Sequence, residues 1–268
     1  MVSLPTFFIS HGGGPWPYMK SELGGAYDQL EASLKDIPNQ LSVAPRALLV
    51  VSAHWEERDF SVMSGPKPPM LYDYSGFPEH TYRVHYSAPG SIEVAGKVQA
   101  LIRSAGFPCG EDAERGFDHG TFSPLAVIYP EAKIPVVQLS IRSDYDPEAH
   151  IRLGRAIASL REDRILIVGS GLSYHNLRRF GGPFAKKASG EFDRWLGETL
   201  LESASDERTR RLIHWAEAPS ARDAHPQEDH LIPLMVAVGA AEGEKADVIY
   251  HENAFMGDIT VSSYRFGR

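Results

Sequence analysis

Short runs rich in valine, isoleucine and leucine alternate with longer segments of helical pattern along the 268-residue chain, and this alternation restricts the fold more than any other feature. The short runs show no clean apolar–polar alternation, which is typical of strands that are covered on both faces. Strands are predicted at Thr6–Ser10, Ala47–Ser52, Ser61–Ser64, Pro135–Ile141, Arg164–Val168 and Ala246–Tyr250. Strands and helices in alternation predict an α/β fold with a central, mostly parallel or mixed sheet flanked by helices.

The predicted helices carry start and stop signals. Ser91 is placed as the N-cap of a helix over Ser91–Ala105, because serine accepts hydrogen bonds from free helix amides, and Gly106 ends it. The other helices are predicted at Ala26–Leu34, Pro147–Leu160, Gly190–Ser203 and Glu228–Ala241. Since no linker rich in proline, glycine and serine divides the sequence, residues 1–268 are predicted to form one domain.

Charge and cysteine content exclude several classes of partner. The formal net charge is -8 and the basic residues are scattered, whereas a nucleic-acid surface needs a basic patch. The single cysteine, Cys109, excludes an intrachain disulfide and suits a reducing compartment. No apolar segment approaches the roughly 18 residues of a membrane span, and the N-terminus lacks the pattern of a signal peptide. We therefore expect a cytoplasmic globular protein, as a monomer or a homodimer, without a nucleic-acid or membrane partner.

Several of the eleven histidines follow predicted strands. His11, His54 and His175 come after the strands that begin at Thr6, Ala47 and Arg164. Ligands of open α/β sheets bind outside the carboxyl ends of the strands, so these three side chains are expected to converge there. Three glycines directly after His11 would let the loop turn away and leave its ring open to a metal or a substrate.

Two further histidines join the candidates. In the segment Ala224–Pro233, Pro226 is expected to begin a helix, so that His230 projects from its first turns. His119 is expected in a loop after Gly116. Their spacing matches neither a zinc finger nor an HExxH helix, and the glycine-rich segments match neither a phosphate-binding loop nor a nucleophile elbow. The residues alone therefore indicate a mononuclear metal site.

Motifs along nearly the whole chain resemble those of the class III extradiol ring-cleavage dioxygenases, in the branch typified by 4,5-DOPA dioxygenase. No single motif is specific, but their order and spacing together are. They are Ser10-His-Gly-Gly-Gly-Pro15, Val51-Ser-Ala-His-Trp55, Tyr72-Asp-Tyr-Ser-Gly-Phe-Pro78, Tyr86-Ser-Ala-Pro-Gly90, Gly116-Phe-Asp-His-Gly120, Pro135-Val-Val-Gln-Leu-Ser140, and the segments Gly169–Leu177 and Ala224–Pro233.

The resemblance implies a role for each candidate. It implies that His11, His54 and His230 bind the metal, with Fe(II) as the active ion and zinc able to occupy the site in the purified protein. It also implies that His175 is the acid/base and that His119 contacts substrate or oxygen. The related protocatechuate-cleaving branch uses two histidines and a glutamate, which leaves Glu228 as an alternative ligand or a carboxylate that holds an imidazole.

The resemblance implies an oxidoreductase that opens the ring of a small substituted catechol, such as DOPA, and incorporates both atoms of O2. Tyr72 and Phe77 of an aromatic loop are expected to wall the substrate ring, and Asp118 to contact the substrate. His225, next to the ligand segment, is either a neighbour that supports the ligands or a bystander, and we favour the bystander. Two alternatives remain at this stage, a zinc-dependent hydrolase or amidase on the same scaffold and a metal-binding module without turnover.

Overall fold

The computed structural model describes residues 3–268. Its strands are β1 Thr6–Ser10, β2 Ala47–Glu57, β3 Phe60–Met63, β4 Cys109–Asp112, β5 Val136–Arg142, β6 Ile165–Gly171, β7 Ala246–Phe255 and β8 Ile259–Phe266. Its helices are α1 Lys20–Leu23, α2 Asp28–Asp36, α3 Ile92–Ser104, α4 His119–Ile128, α5 Pro147–Ile157, α6 Gly182–Gly197, α7 Ser205–Ile213, α8 Ala221–Ala224 and α9 Ile232–Ala240.

The strands form one eight-stranded mixed sheet in the order β4-β3-β5-β2-β6-β1-β8-β7. The four central strands, β5, β2, β6 and β1, are parallel, whereas β3 and β8 join them in antiparallel pairings. Helix α9 packs on the central strands and α5 packs on α9, and the apolar side chains of both helices belong to the same buried core as the strands. The predicted α/β fold with a mixed sheet flanked by helices is confirmed, and the carboxyl ends of the parallel strands meet at one edge.

Two strands escape the sequence prediction because neither is a continuous apolar run. Strand β4 has the sequence Cys-Gly-Glu-Asp and lies at the sheet edge, where polar side chains face solvent. Strand β8 is interrupted by threonine, serines and an arginine, although it is almost entirely buried. Its serines serve the sheet: Ser263 Oγ accepts a hydrogen bond from the Ser10 N–H over 2.9 Å.

The predicted helix Glu228–Ala241 is wrong at its start. The Glu228 carbonyl accepts from the N–H groups of Leu231 and Ile232, so residues 228–231 form a turn and α9 begins only at Ile232, with Pro233 in its first turn. His119, expected in a loop, is instead the first residue of α4, capped by the Asp118 side chain. Ser91 caps α3 as predicted, and its side chain accepts from the Val94 N–H over 3.2 Å.

The other predicted helices fall on helices with shifted ends, and α6 begins at Gly182, well before the predicted Gly190. None of the helices within residues 3–268 has the length and apolar character needed to cross a lipid bilayer.

A buried histidine on α5 gives the fold a defined response to acid. His150 Nδ1–H donates to the Asp146 carbonyl over 2.6 Å, and His150 Nε2 accepts from the Arg142 N–H over 3.0 Å. Burial lowers the pKa of His150 from 6.5 to about 4. The unfolded chain therefore takes up this proton first, so stability is lost as the pH falls from about 6.5 to about 4.

We expect this residue alone to lower the free energy of unfolding by about 3 kcal/mol between pH 7 and pH 4. Urea unfolding of the wild type and of His150→Gln across this range measures the difference. The loss attributable to His150 should vanish in the variant, and parallel pH profiles for the two proteins would contradict the prediction.

Candidate active site

Backbone hydrogen bonds bring three segments together at the carboxyl edge of the sheet. The His11 N–H donates to the Gly171 carbonyl over 3.1 Å, and the Leu172 N–H donates to the His230 carbonyl over 3.0 Å. Gly171 permits this approach, since a Cβ there would lie 2.1 Å from the His230 carbonyl oxygen. The ends of β1 and β6 and the turn before α9 are thus tied into one unit that carries His11 and His230.

The loop after β1 turns sharply at Gly12, which has a φ of +78°. A Cβ at this position would lie 2.4 Å from Trp16 Nε1, and that indole N–H donates to the His11 carbonyl over 2.7 Å. A side chain at position 12 would therefore be strained and would displace Trp16. The expectation that glycine lets the loop turn away from His11 agrees with this geometry.

The sequence suggested that His54 follows the strand that begins at Ala47. In the structure His54 lies within that strand, β2. The pairing of β2 with β5 shifts register between Val51 and Glu56, and His54 occupies this irregular stretch. Such bulges turn a side chain away from the regular pleat. The His54 N–H donates to Ser52 Oγ over 3.2 Å, and Ser52 Oγ–H in turn donates to Asp118 over 2.8 Å.

Asp118 is fully buried and does not line the cavity described below. Its carboxylate caps α4 by accepting from the Thr121 N–H, and it pairs with Arg115 over 2.8 Å and accepts a hydrogen bond from Gln138. Burial raises the pKa of Asp118. The expected contact with substrate does not fit this position, and Asp118 instead holds the start of α4, where His119 lies.

Three imidazoles converge at the inner end of the cavity. The ring centroids of His11, His54 and His230 lie 4.8 to 5.1 Å apart. One ring nitrogen from each lies within 4.8 Å of the others. His54 Nε2 and His230 Nε2 are 3.2 Å apart.

Hydrogen bonds on the far side of two of the rings set their tautomers. His11 Nδ1–H donates to the Gly12 carbonyl and His230 Nδ1–H donates to Asp229 Oδ2, both over 2.7 Å. His54 Nδ1 lies 3.5 Å from Asp73 Oδ2. The Nε2 atoms of the three rings are left to face one another, and a cation between them would satisfy their lone pairs.

The cluster is neutral at physiological pH. Burial, followed by the neighbouring histidines, lowers the pKa of His11 and of His54 well below the ordinary value. Burial and the proximity of His175 lower the pKa of His230 to about 4. His11 Nε2 is buried and has no hydrogen-bond partner among residues 3–268. Neutral imidazoles whose Nε2 atoms converge suit a divalent transition metal, so these three residues fit such an ion.

His119 lies beside His54, with ring centroids 3.9 Å apart. Asp73 accepts from both the backbone N–H and the ring Nδ1–H of His119, each over 2.9 Å. Burial raises the pKa of Asp73, but these hydrogen bonds outweigh burial, so its net shift is downward. Asp73 thus fixes the orientation of His119 and leaves Nε2 available to a ligand.

His175 stacks on His230, with ring centroids 3.3 Å apart. Asp229 lies between their outer edges: Oδ2 accepts from His230, and Oδ1, which has no hydrogen-bond partner in residues 3–268, is 3.7 Å from His175 Nδ1. Burial raises the pKa of Asp229, but the two histidines outweigh burial and hold it well below its usual range. Asp229 therefore holds His230, which is one of the two roles that the sequence left open for Glu228.

Glu228 pairs with Arg222 over 2.7 Å and is not among the acidic and histidine groups that cluster at the site. His225 is fully buried and does not line the cavity. His225 Nε2–H donates to the Ser173 carbonyl over 2.9 Å, which ties it to the loop that carries His175. His225 therefore lies outside the cavity, behind the loop that carries His175.

The histidines open into a cavity of about 760 Å³, a size suited to a small organic ligand. Phe77 lines it, as expected from the sequence, whereas Tyr72 faces a separate cavity and donates its hydroxyl hydrogen to the Val84 carbonyl over 2.8 Å. Tyr74, from the same aromatic loop, lines the cavity as well. The apolar and aromatic walls that were not predicted from the sequence are Tyr27, Ala53, Trp55, Leu172, Leu177, Phe180 and Phe255.

Residues 5–267 match the family described as the catalytic LigB subunit of aromatic ring-opening dioxygenase. The chain belongs to this family. A 4,5-DOPA dioxygenase extradiol of Beta vulgaris is 40% identical over 97% of this chain and 96% of its own length. One of Escherichia coli strain K12 is 32% identical over 98% and 95% of the two chains.

A crystal structure of an uncharacterized protein from Escherichia coli K12 has the same fold, with a TM-score of 0.77 and 29% identity. The match covers 98% of this chain and 100% of the Escherichia coli chain. As a member of the LigB family with extradiol dioxygenase relatives, the chain is an oxidoreductase of the ring-cleaving dioxygenase class.

Asp229 offers a test of how the LigB-family site is held together. We expect Asp229→Asn to weaken metal binding by about 10- to 100-fold, because carboxylates that orient a ligating imidazole typically contribute that much. The matched control is Asp223→Asn, which makes the same change at an exposed position on α8. Metal titration in a competing chelator measures both. Equal affinities in the two variants would show that the Asp229 carboxylate does not support His230.

Proposed function

We propose that this chain is a non-haem Fe(II)-dependent extradiol dioxygenase that opens the ring of a small substituted catechol, DOPA or a similar compound. In this reaction the ring bond next to the diol is cleaved outside the two hydroxyl groups, and both atoms of O2 enter the product. His11, His54 and His230 are the proposed metal ligands. The chain has a single cysteine, which suits a reducing compartment and supports a cytoplasmic location.

One observation carries the proposal: three neutral imidazoles converge at the floor of an aromatic cavity, and two further histidines flank them. Three ligands on one face leave positions for substrate oxygens. A hydrolase that activates water at this site would need only one flanking histidine, whereas this cavity holds two, His119 and His175. Bound Fe(II) would supply the Lewis acidity that favours loss of a catechol proton and the redox chemistry toward O2.

His175 is the proposed acid/base. It lines the cavity beside His230, so its ring is placed to accept a proton from a catechol hydroxyl and to return one to the opened product. The unpartnered Oδ1 of Asp229, 3.7 Å from His175 Nδ1, would stabilise the ring while it carries the extra proton.

His119 and the aromatic walls position the reactants. Because Asp73 accepts the Nδ1–H of His119, the opposite nitrogen of the ring is left to hydrogen-bond the substrate or oxygen. Phe77 and Tyr74 contact one another edge to face, with ring centroids 5.3 Å apart, and offer apolar surface to a flat ring. These side chains would also exclude water from the reacting end of the cavity.

The proposal is tested by removing metal, loading Fe(II) without oxygen, adding a panel of catechols and then admitting air. We expect oxygen uptake that matches catechol consumption and a coloured ring-opened product, with neither in zinc-loaded protein. No uptake with any catechol, despite stoichiometric iron, would contradict the proposed function.

A further inference from the structure

Two glutamates, Glu56 and Glu57, line the open side of the cavity at the carboxyl end of β2. Both are exposed, and within residues 3–268 neither forms an ion pair with a lysine, arginine or histidine. Neutral donors hold them instead: the Tyr145 hydroxyl donates to Glu56, and Trp55 Nε1–H donates to Glu57 over 2.9 Å. Each carboxylate is therefore fixed in place while its charge stays uncompensated.

The other charged groups of the cavity wall do not offset these two. Asp73 and Asp229 lie behind the histidines and add negative charge. Arg115, the one lysine or arginine that lines the cavity in the described chain, is paired with the buried Asp118 over 2.8 Å. The open side of the cavity is thus electronegative and has no unpaired cation for an anionic group.

We propose that Glu56 and Glu57 bind a cationic group on the substrate, so that the site selects catechols whose side chain ends in an ammonium over those whose side chain ends in a carboxylate. The inference rests on the proposed function, which places the catechol ring at the histidines. A second observation shows that the cavity is a ligand site: the buried His11 Nε2 lines it without a hydrogen-bond partner.

The negative charge of Glu56 and Glu57 explains the preference between the two kinds of catechol. Fixed carboxylates attract an ammonium and repel a carboxylate, so both the attraction and the repulsion contribute to the difference in affinity. Tyr145 and Trp55 reduce the cost of ordering the two glutamates, since their hydrogen bonds already hold them. Because the carboxylates are exposed, salt should weaken the selection.

Equilibrium binding of two matched catechols tests this inference. Dopamine and dihydrocaffeate both carry a two-carbon side chain, which ends in an ammonium in the first and in a carboxylate in the second. We would titrate each into Fe(II)-loaded protein without oxygen, by isothermal titration calorimetry, with 4-ethylcatechol as the neutral reference. We expect dopamine to bind about tenfold more tightly than dihydrocaffeate at low ionic strength, and the ratio to shrink in salt.

The double variant Glu56→Gln/Glu57→Gln should reduce this ratio to about twofold. Glu162→Gln/Glu202→Gln removes the same charge at exposed positions outside the cavity and should keep the wild-type ratio. The proposal is overturned if dopamine does not bind, if dihydrocaffeate binds equally or better, or if the preference survives the first double substitution. The proposed function fails by a separate result, the absence of oxygen uptake with every catechol.

Discussion

Replacing His175 with alanine is expected to lower the turnover number for ring opening by about 10²- to 10⁴-fold, the range typical of a lost general acid/base. The amount of bound metal should stay the same, because His175 stacks on His230 without being one of the three converging imidazoles. Steady-state oxygen uptake and metal analysis of the same preparations measure both quantities.

The matched control is His80→Ala, which removes a half-exposed histidine that contacts the Tyr18 carbonyl outside the cavity. This variant should keep both metal and turnover. If His175→Ala loses its metal together with its activity, His175 belongs to the ligand set, and the assignment of a separate acid/base would be wrong.

The second large effect concerns the ligands themselves. We expect His230→Ala to weaken metal binding by more than about 100-fold, since losing a ligand should cost more than losing a carboxylate that merely orients one. Ring opening should fall with it. Removing His230 also leaves Asp229 without its hydrogen-bond donor, so the cluster cannot rearrange at low cost.

Glu228→Gln is the control that decides between the two candidates in this segment. Glu228 pairs with Arg222, so its substitution should leave metal content unchanged. Metal retained in His230→Ala and lost in Glu228→Gln would transfer the ligand role to the glutamate. Circular dichroism of both variants would verify that each is folded.

The sequence was sufficient to predict the frame of the site. Thr6–Ser10 and the run that begins at Ala47 are continuous, buried and β-rich, so their placement in the centre of the sheet needed only local pattern. The glycines after His11 identified a sharp turn, and the observed φ of Gly12 requires one. Histidines that follow such strands meet because parallel strands end at the same edge of a sheet.

Interactions between distant segments could not be predicted in this way. Asp73 and His119 are far apart in sequence, and only the folded chain shows that the carboxylate orients the ring. Asp229 lies between Glu228 and His230, the two residues of this segment that the sequence pointed to. The turn at residues 228–231 brings Asp229, and not Glu228, next to the histidines. Asp73 and Asp229 lie inside the motifs that resemble the family, so both could have been considered as site residues. Their spacing alone does not reveal which histidines they contact.

The central claim is that this cavity opens a catechol ring and incorporates O2. Its most direct test is mass spectrometry of the product formed by Fe(II)-loaded protein under oxygen enriched in the heavy isotope. The account predicts that both labelled oxygen atoms appear in the ring-opened product, before exchange with water. A product with an intact ring, or one whose added oxygen comes from water, would contradict it.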